Sequence, residues 1–385
     1  MFTIKRAIFV TYDKFPDIDA GAVRTHMFAN MLRDGGYRVR VISMGPNTDN
    51  QVKQLDGIEY KSYRLKNNTF LGKVLAYLIF PIRLFKELKN YKPDICFHTQ
   101  VRKNVLAMLK KYCKKNNKNL VYDAVEWFSP EQYKNGEKAK PYQLNDAYNR
   151  CLVNENHKVI SISTYLDEHF KNRKICSMNI PVILDVKNTN IVKDNTYKKI
   201  KIIYAGSPGK KDYLDVIIHA LAKLNQEELD KIEFSVIGCT KENLIEVCGV
   251  SVDDIAILND SLIIKGRMSR EDVIKEYESA NFSILIRSQK QRYAKAGFPT
   301  KFVESLSLST PVICNLTSDL GDYVVDGVNG VLVENESVEA CYKAFKNVLS
   351  FDKEQLQNMQ NGALKTAISR FDYRLYIKKL LDFVE

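Results

Sequence analysis

The sequence contains few of the patterns that mark metal, redox or phosphate-loop sites. Its eight cysteines are scattered without a CxxC pair, and none has a histidine at the spacing of a zinc site. Several, such as Cys96 and Cys314, lie in apolar runs where a thiol acts as a small hydrophobe. No GxGxxG follows a predicted strand, and residues 205–211 have too few positions between their glycines for a P-loop. These absences exclude disulfide-rich, zinc-finger and P-loop classes and are typical of a reducing cytosol.

Long hydrophobic segments are also absent. The longest apolar run, residues 74–80, is far shorter than the roughly 20 residues that a membrane-spanning helix needs. The first ten residues pass directly from charged positions into a strand pattern, which predicts a cytoplasmic protein without a secretory signal. A chain of 385 residues with 45% hydrophobic and 27% charged residues is expected to fold into two domains of ordinary size.

Acidic residues are scarce relative to basic ones in only one half of the chain. The formal net charge is +12, and residues 1–185 have a net charge of +13, whereas residues 186–385 have −1. This asymmetry indicates an N-terminal surface that binds nucleic acid, lipid headgroups or a phosphorylated substrate, or else an ordinary solvated basic surface. No RNA- or DNA-binding motif accompanies the charge, so nucleic acid is not expected as a partner.

Short β-rich runs alternate with helical patterns along the whole chain. This alternation predicts an α/β fold with parallel sheets, because parallel strands need a crossover that a helix usually supplies. Polar residues 187–199 predict a linker between two doubly wound, Rossmann-like domains, residues 1–186 and 200–370, that face each other across a cleft. The last helical pattern, residues 371–385, is expected to pack back on the first domain. Strands are predicted at 7–12, 38–44, 94–99, 119–124, 158–163, 201–205, 233–238, 261–265, 282–287, 311–315 and 330–333, and helices include 71–91 and 141–156.

Residues 296–304 (AGFPTKFVE) have the pattern of a loop followed by the first turns of a helix. Pro299 favours a helix start, because the first-turn N–H has no intrahelical partner. The free N–H groups and the helix dipole predict a phosphate site, which the Thr300 hydroxyl and the Lys301 ammonium would reinforce. Glu304 lies one turn further on the same face, where its carboxylate would accept hydrogen bonds from a ribose diol. The alternative is an ordinary capped helix with a surface Glu.

With the strand that follows, this segment resembles family 4 glycosyltransferases. That family shows a Glu, a Gly-Phe pair, a second Glu eight positions after the first, and then GTPVI. Gly297, Phe298 and Glu304 match this pattern, as do residues 309–313 (STPVI), whereas the first Glu, which the family uses near the donor sugar, is Ala296 here. The resemblance implies the two-domain GT-B fold and retaining transfer of a sugar from a nucleotide diphosphate sugar, with no cofactor and no metal.

The loop after the first strand of the second domain also resembles the family's donor site. Gly206, Ser207 and Lys211 match the loop that binds the donor diphosphate, except that Ser207 replaces the usual arginine. Arg287 and Arg292 would restore this charge by binding phosphate bidentately, or are solvated cations at a loop edge.

Residues 264–268 resemble the family's turn that contacts the nucleotide base, which assigns Arg267 to the base. The donor-binding residues that the resemblance implies are Gly21, Gly206, Ser207, Lys211, Arg267, Arg287, Gly297, Phe298, Pro299, Thr300, Lys301 and Glu304.

In the first half, residues 19–26 (DAGAVRTH) resemble the family's glycine loop after strand one, with Gly21 as the single glycine. Asp17 and Asp19 form a DxD pair just before it, but paired loop acids are usually solvated, so no metal is expected. His98 ends a predicted strand near the position of the family's strand-four histidine. It is assigned a catalytic contact with the donor sugar, with a partly buried structural histidine as the alternative.

Residues 122–127 (YDAVEW) resemble the family's D-x-H-E strand end, with Val125 in place of the histidine. Asp123 and Glu126 remain, and they would orient acceptor hydroxyls or act as a base. The alternative is that both are ordinary loop carboxylates.

Basic and apolar residues are mixed over residues 61–92, which hold eight basic side chains. Such mixing on short helices is typical of interfacial membrane segments, and each cation near an anionic leaflet contributes about 1 kcal/mol. Lys73, Arg83, Lys86 and Lys89 are assigned to membrane or acceptor contact, although part of the apolar set is expected to pack on the sheet. Pro81 is expected to interrupt any single helix here.

Together these features predict a metal-independent, retaining glycosyltransferase of bacterial surface polysaccharide synthesis, peripheral at the inner face of the plasma membrane. Its partners would be a nucleotide sugar, a glycan or polyprenyl-diphosphate-linked acceptor, and an anionic membrane surface. Two alternatives stay open: a sugar-nucleotide epimerase or phosphorylase on the same fold, and a non-catalytic glycosyltransferase-like partner subunit, which the missing Glu and His would explain.

Overall fold

Two β-sheets, each in its own unit, organise the chain. The computed structural model describes residues 4–16, 19–44, 51–63, 70–187, 193, 199–209 and 211–385, without the side chains of 70–73 and 75–77. Unit 1 comprises Met1–Trp127, Glu137–Asp185 and Asp372–Glu385, and unit 2 comprises Phe128–Gly136 and Val186–Phe371. Most of the predicted linker, residues 187–199, lies outside the described residues.

Unit 1 is built on an eight-stranded sheet in the order β3-β4-β2-β1-β5-β6-β7-β8. Every neighbouring pair is parallel except β3 and β4. The strands are β1 (Arg6–Val10), β2 (Arg38–Ser43), β3 (Lys53–Leu55), β4 (Ile58–Ser62), β5 (Ile95–His98), β6 (Asn119–Ala124), β7 (Lys158–Ser161) and β8 (Cys176–Asn179). The helices are α1 (Ala20–Asp34), α2 (Phe70–Tyr91), α3 (Lys103–Asn116), α4 (Lys140–Ala147), α5 (Thr164–Asn172) and, at the end of the chain, α15 (Ile377–Val384).

The central strands of this sheet are buried on both faces, as is usual for parallel strands. All four residues of β5 are buried, as are four of the five in β1, because helices cover both faces of the sheet. The rings of Phe9 and Phe97 stack across the two strands with their centroids 4.5 Å apart. α1 begins where the Asp19 carboxylate accepts the Ala22 N–H at 2.9 Å, and it leads back from the carboxyl end of β1.

The last residues of the chain belong to unit 1. Leu380 and Val384 of α15 are fully buried in the same core cluster as Leu32 of α1. Gly35 follows α1, and a Cβ there would lie 2.6 Å from a methyl carbon of Leu381. The glycine therefore allows the close packing of α15 against α1.

Unit 2 is built on a six-stranded, all-parallel sheet in the order β11-β10-β9-β12-β13-β14. The strands are β9 (Ile200–Ala205), β10 (Ile232–Ile237), β11 (Leu262–Gly266), β12 (Phe282–Leu285), β13 (Val312–Asn315) and β14 (Gly330–Val333). The helices are α6 (Leu214–Ala222), α7 (Gln226–Leu229), α8 (Lys241–Glu246), α9 (Val252–Leu258), α10 (Arg270–Ser279), α11 (Arg292–Ala296), α12 (Thr300–Ser307), α13 (Val338–Leu349) and α14 (Lys353–Arg370). The predicted α/β class with two Rossmann-like parallel sheets is confirmed.

The expected break at Pro81 is wrong, because α2 continues through it. Phe80, Leu84 and Leu88 are all buried at successive turns, so packing holds the helix on both sides of the proline. Among the described residues, no helix is long and apolar enough to cross a bilayer.

Two further differences from the sequence prediction concern short elements. The helix predicted over 141–156 ends at Ala147 and continues as a π turn, Tyr148–Leu152. Strands β3, β4 and β8 were not predicted, because three to five residues of mixed polarity give too short an alternation to recognise.

Candidate functional site

Glycines lie where three neighbouring strands of unit 2 end at the carboxyl edge of the sheet. The Gly206 N–H, after β9, donates to the Ile237 carbonyl at 2.9 Å, and the Gly238 N–H, after β10, donates to the Gly266 carbonyl at 2.6 Å. Gly238 has a φ of 101°, and a Cβ there would lie 2.2 Å from the Gly206 carbonyl oxygen. The strand ends thus approach more closely than a side chain would permit. This edge is where open parallel sheets bind ligands.

An open cleft of about 440 Å³ adjoins these strand ends. Its lining residues are Ser207, Pro208, Gly238, Cys239, Thr240, Asn243, Val247 and Arg267. The volume lies within the range of small-molecule sites, and apolar surface is combined with hydroxyl, amide and guanidinium groups. Ser207 and Arg267, which the sequence assigned to the donor, line this same cleft.

Close to the cleft, one buried carboxylate binds two cations. Asp212 Oδ1 accepts from Arg287 Nε at 2.6 Å, and Asp212 Oδ2 accepts from Lys301 Nζ at 2.5 Å. The Tyr204 hydroxyl also donates to Asp212 Oδ2, at 2.7 Å. Lys301 passes directly over Gly206, where a Cβ would lie 2.4 Å from Lys301 Cε. The cluster therefore holds two positive charges against one negative charge.

The electrostatics of this cluster favour an incoming anion. Burial alone would raise the pKa of Asp212, but the charges of Arg287 and Lys301 and the hydrogen bonds from Lys301 and Tyr204 hold it below its ordinary value. Burial lowers the pKa of Lys301 more than the Asp212 charge raises it, and the Arg287 charge adds to the lowering. A lysine whose ammonium is disfavoured in this way gains from a second negative charge. A phosphate group would supply that charge.

Lys211, matched to the diphosphate loop, is half-buried and lies between two aromatic rings. Its Nζ is 5.5 Å from the ring centroid of Phe128 and 6.0 Å from that of Tyr293. Arg292, the other candidate cation, donates from Nη2 to the Phe128 carbonyl at 2.5 Å. Sequence reasoning missed Phe128 and Tyr293, because nothing in the local pattern links residues so far apart in the chain.

α12 begins at Thr300, directly after Pro299, close to the predicted helix start. Glu304 lies one turn further with its side chain 30% exposed, and its Oε1 is 3.9 Å from an Arg270 guanidinium nitrogen. Burial raises the pKa of Glu304, while the Arg270 and Lys301 charges oppose the rise. The carboxylate is thus partly desolvated but still accessible, as a hydrogen-bond acceptor for a ligand hydroxyl must be.

The other residues of this motif pack in the interior. The Phe298 ring contacts the rings of Phe302, Tyr323 and Phe371 at centroid distances of 5.6–6.3 Å. Gly297 ends α11 and donates its N–H to the Tyr293 carbonyl. Ala296, which stands where the family has its first Glu, is fully buried. Any contact with a donor sugar must therefore come from other residues.

In unit 1, Asp123 forms a buried ion pair at the end of β6. Arg24 Nε lies 3.0 Å from both Asp123 carboxylate oxygens, and the same guanidinium donates to the carbonyls of Ile180 and Pro181. Burial raises the pKa of Asp123, against the Arg24 charge. Glu126 is half-buried nearby in the chain, and its carbonyl accepts from the Asn145 side chain. The catalytic roles assigned to Asp123 and Glu126 stay predictions.

His98 ends β5 as predicted, but its side chain is only 1% exposed. Its Nδ1 lies 2.8 Å from the Thr99 carbonyl, and its ring stacks on Tyr122 and lies 5.8 Å from the ring of His157. Burial lowers the pKa of His98 to about 4 and that of His157 to about 3. Both rings are neutral near pH 7, and this placement agrees with the structural alternative.

The turn after β1 holds a carboxylate that sequence reasoning missed. A Cβ on Gly21 would lie 2.4 Å from Asp13 Cγ, so the glycine lets the Asp13 side chain rest on the first turn of α1. Thr11 Oγ1 donates to Asp13 Oδ2 at 2.5 Å. Burial raises the pKa of Asp13 to about 6, and three nearby carboxylates, Asp123 among them, add to the rise. The available signal was its place directly after a buried strand.

No metal site is evident among the described residues, since no three His, Cys, Asp or Glu side chains cluster there. Of the DxD pair, Asp17 lies outside the described residues, and Asp19 caps α1.

One face of α2 exposes apolar side chains next to basic ones. Val74, Leu78, Ile82 and Phe85 are 41–69% exposed, and their spacing places them on the same side of the helix. Of the predicted basic contacts, Lys86 and Lys89 are exposed and Arg83 lies over the Tyr63 ring at 5.1 Å. The Lys73 side chain lies outside the described residues.

Known proteins resemble the second half of the chain. Residues 186–366, just under half of the chain, match the family described as Glycosyl transferases group 1. An uncharacterized glycosyltransferase of Methanocaldococcus jannaschii is 26% identical over 186 residues. The match covers 47% of this chain and 46% of that relative, about half the length of each.

Solved structures with the same fold cover nearly the whole chain. Sucrose-phosphate synthase from Thermosynechococcus elongatus has a TM-score of 0.74 at 12% identity, over 98% of both chains. HepE of Anabaena, in complex with UDP-glucose, has a TM-score of 0.69 at 14% identity, over 98% of this chain and 99% of HepE. WaaG, a glycosyltransferase involved in lipopolysaccharide biosynthesis, has a TM-score of 0.69 at 16% identity, over 98% of this chain and 99% of WaaG. The protein thus has the GT-B fold, as predicted from the sequence.

Replacement of the buried carboxylate, Asp212→Asn, is expected to destabilise the protein by about 3 kcal/mol, because it leaves two largely desolvated cations, with 15% and 21% of their side chains exposed, without their counter-charge. Urea unfolding at pH 7.5 measures the change. Asp215→Asn, a half-buried acid in the first turn of α6, is the matched control and is expected to change stability by under about 1 kcal/mol. Equal losses for the two variants would contradict the cluster.

The lowered pKa values of His98 and His157 predict acid sensitivity. Both rings protonate near pH 6.5 in the unfolded chain but only near pH 4 and 3 in the folded one, so their contribution is complete above pH 6.5 and shrinks as the pH falls. Between pH 7.5 and 5.0 each would remove about 2 kcal/mol from the free energy of unfolding. His98→Gln is expected to remove about half of this pH-dependent loss in urea unfolding. The same pH dependence in His98→Gln and in the parent protein would refute the assignment.

Proposed function

We propose that the protein is a retaining, metal-independent glycosyltransferase that moves a sugar from a nucleotide diphosphate sugar to a glycan or lipid-linked acceptor, in bacterial surface polysaccharide synthesis. The observation that carries the proposal is the cluster of Asp212, Arg287 and Lys301. Its surplus positive charge lies beside a ligand-sized cleft at the carboxyl edge of the sheet, within a glycosyl transferases group 1 domain. The HepE structure, of the same fold, contains UDP-glucose.

The nucleoside would lie in the cleft of unit 2. Arg267 at the end of β11 and Ser207 after β9 line this cleft and would contact the base and the ribose side of the nucleotide. Glu304 would accept hydrogen bonds from the ribose hydroxyls, since its half-buried carboxylate is held near Arg270 rather than paired at close range.

The diphosphate would lie against the cations. Lys211, Arg287 and Lys301 supply positive charge, and the first N–H groups of α12 with the Thr300 hydroxyl supply hydrogen bonds. This arrangement gives the diphosphate several fixed cations, which would neutralise it without a divalent ion.

Transfer breaks the bond between the anomeric carbon and the diphosphate oxygen and forms one to the acceptor oxygen. Negative charge develops on the departing phosphate oxygen, where preorganised cations and helix N–H groups stabilise it more than they stabilise the bound donor. In the retaining reaction the acceptor attacks from the face that the diphosphate leaves, and its hydroxyl proton passes to that phosphate oxygen. No residue of the protein is needed as a nucleophile.

The donor is identified by screening nucleotide sugars for thermal stabilisation, because a ligand that binds only the folded state raises the melting temperature. With the sugar nucleotide that gives the largest shift, Glu304→Gln is expected to weaken binding and slow transfer about ten-fold or more. Glu271→Gln, an exposed acid at the start of α10, is the matched control and should retain both. Unchanged donor binding and transfer in Glu304→Gln would remove Glu304 from the site.

Product analysis separates the alternatives in the same assay. A new sugar nucleotide formed without any acceptor would indicate an epimerase, and sugar 1-phosphate formed from a glycan and phosphate would indicate a phosphorylase. Donor binding without turnover, with every acceptor supplied, would indicate a non-catalytic partner subunit. A transferred sugar whose anomeric configuration matches the donor supports the proposal, and an inverted one refutes retention.

We also propose that α2 binds an anionic membrane surface and so brings the protein to lipid-linked acceptors. The exposed stripe of Val74, Leu78, Ile82 and Phe85 would enter the headgroup region, while Lys86 and Lys89 lie alongside it to contact anionic lipids. Exposed apolar side chains at four helical positions are unusual in a surface helix that contacts only water. Their spacing on one face gives the helix a single direction of insertion.

The double replacement Ile82→Ser and Phe85→Ser is expected to lower binding to vesicles of phosphatidylglycerol and phosphatidylcholine at least ten-fold, since each apolar side chain contributes about 1.5–3 kcal/mol when buried. Co-sedimentation measures the binding, which should also fall as salt increases. Val252→Ser removes an equally exposed apolar residue of unit 2 and should have no effect. Vesicle binding that survives the double replacement would contradict the role of α2.

A further inference from the structure

Nine residues from the first half of the chain, Phe128–Gly136, belong to unit 2. They follow β6 by a few residues, contain a short 3₁₀ turn at Pro130–Gln132, and return to unit 1 at Glu137. We call this segment the strap. Its position is unexpected from the sequence, which places it well within the N-terminal domain.

The strap is bound to the start of α11 by specific hydrogen bonds. The side chain of Gln291, at the N-cap position of α11, makes no capping bond, and instead the Tyr293 N–H donates to Ser129 Oγ at 3.1 Å. Arg292 Nη2 donates to the Phe128 carbonyl at 2.5 Å. A strap hydroxyl thus satisfies a first-turn N–H that the helix itself leaves open. The Ser129 N–H, in turn, donates to Gln132 Oε1 at 2.8 Å, which fixes the strap's own turn.

The same contacts enclose Lys211. The Tyr293 hydroxyl donates to the Lys211 carbonyl at 3.0 Å, so α11 holds the backbone of the lysine. The Phe128 and Tyr293 rings then lie within 6.0 Å of its ammonium. One ring comes from the strap and the other from α11, and the hydrogen bond from Tyr293 to Ser129 joins the two segments.

We propose that Phe128 and Tyr293 are positioning residues that hold the Lys211 ammonium for the donor diphosphate, and that the strap is a built part of the donor site. The inference rests on the proposed function, since it takes Lys211 as a diphosphate ligand. A free lysine side chain samples many rotamers, and a ligand that binds it must first restrict them. Two aromatic faces attract the ammonium through their negative π-surfaces and restrict it before the ligand arrives. Aromatic rings, unlike a carboxylate, do not neutralise the charge of the ammonium that they attract.

Aromatic faces suit this task better than a carboxylate would. Asp212, the next residue in the chain, is bound by Arg287 and Lys301. A second acid beside Lys211 would hold the ammonium equally well but would repel the diphosphate. Arg287 and Lys301 thus share one acid, whereas the Lys211 ammonium lies near two aromatic rings.

The test measures binding of UDP, GDP and ADP by calorimetry, and the best binder is compared with its phosphate-free nucleoside. Phe128→Leu removes the ring but keeps an apolar side chain, and it should weaken nucleoside diphosphate binding about ten-fold without changing nucleoside binding. Phe128→Tyr restores a ring and should restore affinity. Ser129→Ala, which removes one of the two hydrogen bonds described between the strap and α11, should weaken diphosphate binding in the same direction. Asn135→Ala, an exposed residue of the same strap, is the matched control and should bind as the parent protein does.

Lys211→Met distinguishes the two proposals. If Lys211→Met weakens diphosphate binding and Phe128→Leu causes no further loss in the Lys211→Met background, the ring acts through the lysine and the inference stands. Equal losses from Phe128→Leu with and without Lys211, or no loss from Phe128→Leu in a protein that needs Lys211, would overturn the inference alone. No loss of diphosphate binding in Lys211→Met would instead overturn the donor site assigned under the proposed function.

Discussion

The ends of three elements of unit 2 depend on the desolvated carboxylate of Asp212. A charge with 4% of its side chain exposed is stable only when partners replace the water that it has lost, and here Arg287, Lys301 and Tyr204 do so. Each partner comes from a different part of the unit: Tyr204 from β9, Arg287 from the end of β12 and Lys301 from α12. Their common partner therefore sets where the ends of these elements lie relative to one another.

The backbone around Asp212 supports the same arrangement. The Tyr213 N–H donates to the Ile286 carbonyl at 3.0 Å, and the Arg287 N–H donates to Asn315 Oδ1 at 3.0 Å. The loop after β9 is thus tied to the end of β12, which is in turn tied to the end of β13. Because backbone and side-chain contacts agree, the two cations have little freedom to move apart when the site is empty. A site prepared in this way loses little entropy when an anion binds.

Glycines make this convergence sterically feasible. Lys301 reaches Asp212 only because Gly206 presents no side chain, and Gly206 approaches the neighbouring strand only because Gly238 presents none. Any Cβ at the first position would collide with the lysine, and any at the second would collide with the backbone. Gly206 stands out in the sequence through its match to a diphosphate-binding loop, and in the structure this glycine leaves space for a lysine from another element.

The fold was predictable because it depends on periodicity, which is local. Buried runs such as Asn119–Ala124 and Gly330–Val333 were predicted at the bounds that the structure shows, and so was the helix start next to Pro299. Strands of three to five residues, such as β3 and β8, were not, since their alternation is too short to stand out. The break predicted at Pro81 is absent from α2, because tertiary packing on both sides of the proline outweighs the local preference against proline in a helix interior.

The sequence predicted which cations belong to the candidate site, but it did not predict the residues that contact them. Lys211, Arg287 and Lys301 stand out in the sequence as basic residues. Which elements fold against each other decides that Asp212 pairs with two of them and that Phe128 lies near the third.

His98 shows the same limit in a strand. Its position at the end of β5 was predicted, yet the face to which the ring points depends on a one-residue register, and the ring lies in the core against Tyr122.

The net charge of each half says less about anion binding than the positions of the charged side chains within that half. Unit 1 uses part of its basic surplus internally: Arg24 pairs with Asp123, and Arg40 and Lys61 converge on the buried carboxylate of Glu87. Those cations are unavailable to a partner, whereas the exposed lysines of α2 remain available. The second half, with a net charge of −1, still holds two cations, Arg287 and Lys301, against the single carboxylate of Asp212, and burial of Lys301 makes a further negative charge favourable there. A near-neutral domain binds an anion strongly when its charge imbalance is local and desolvated, because the low dielectric there magnifies each unpaired charge.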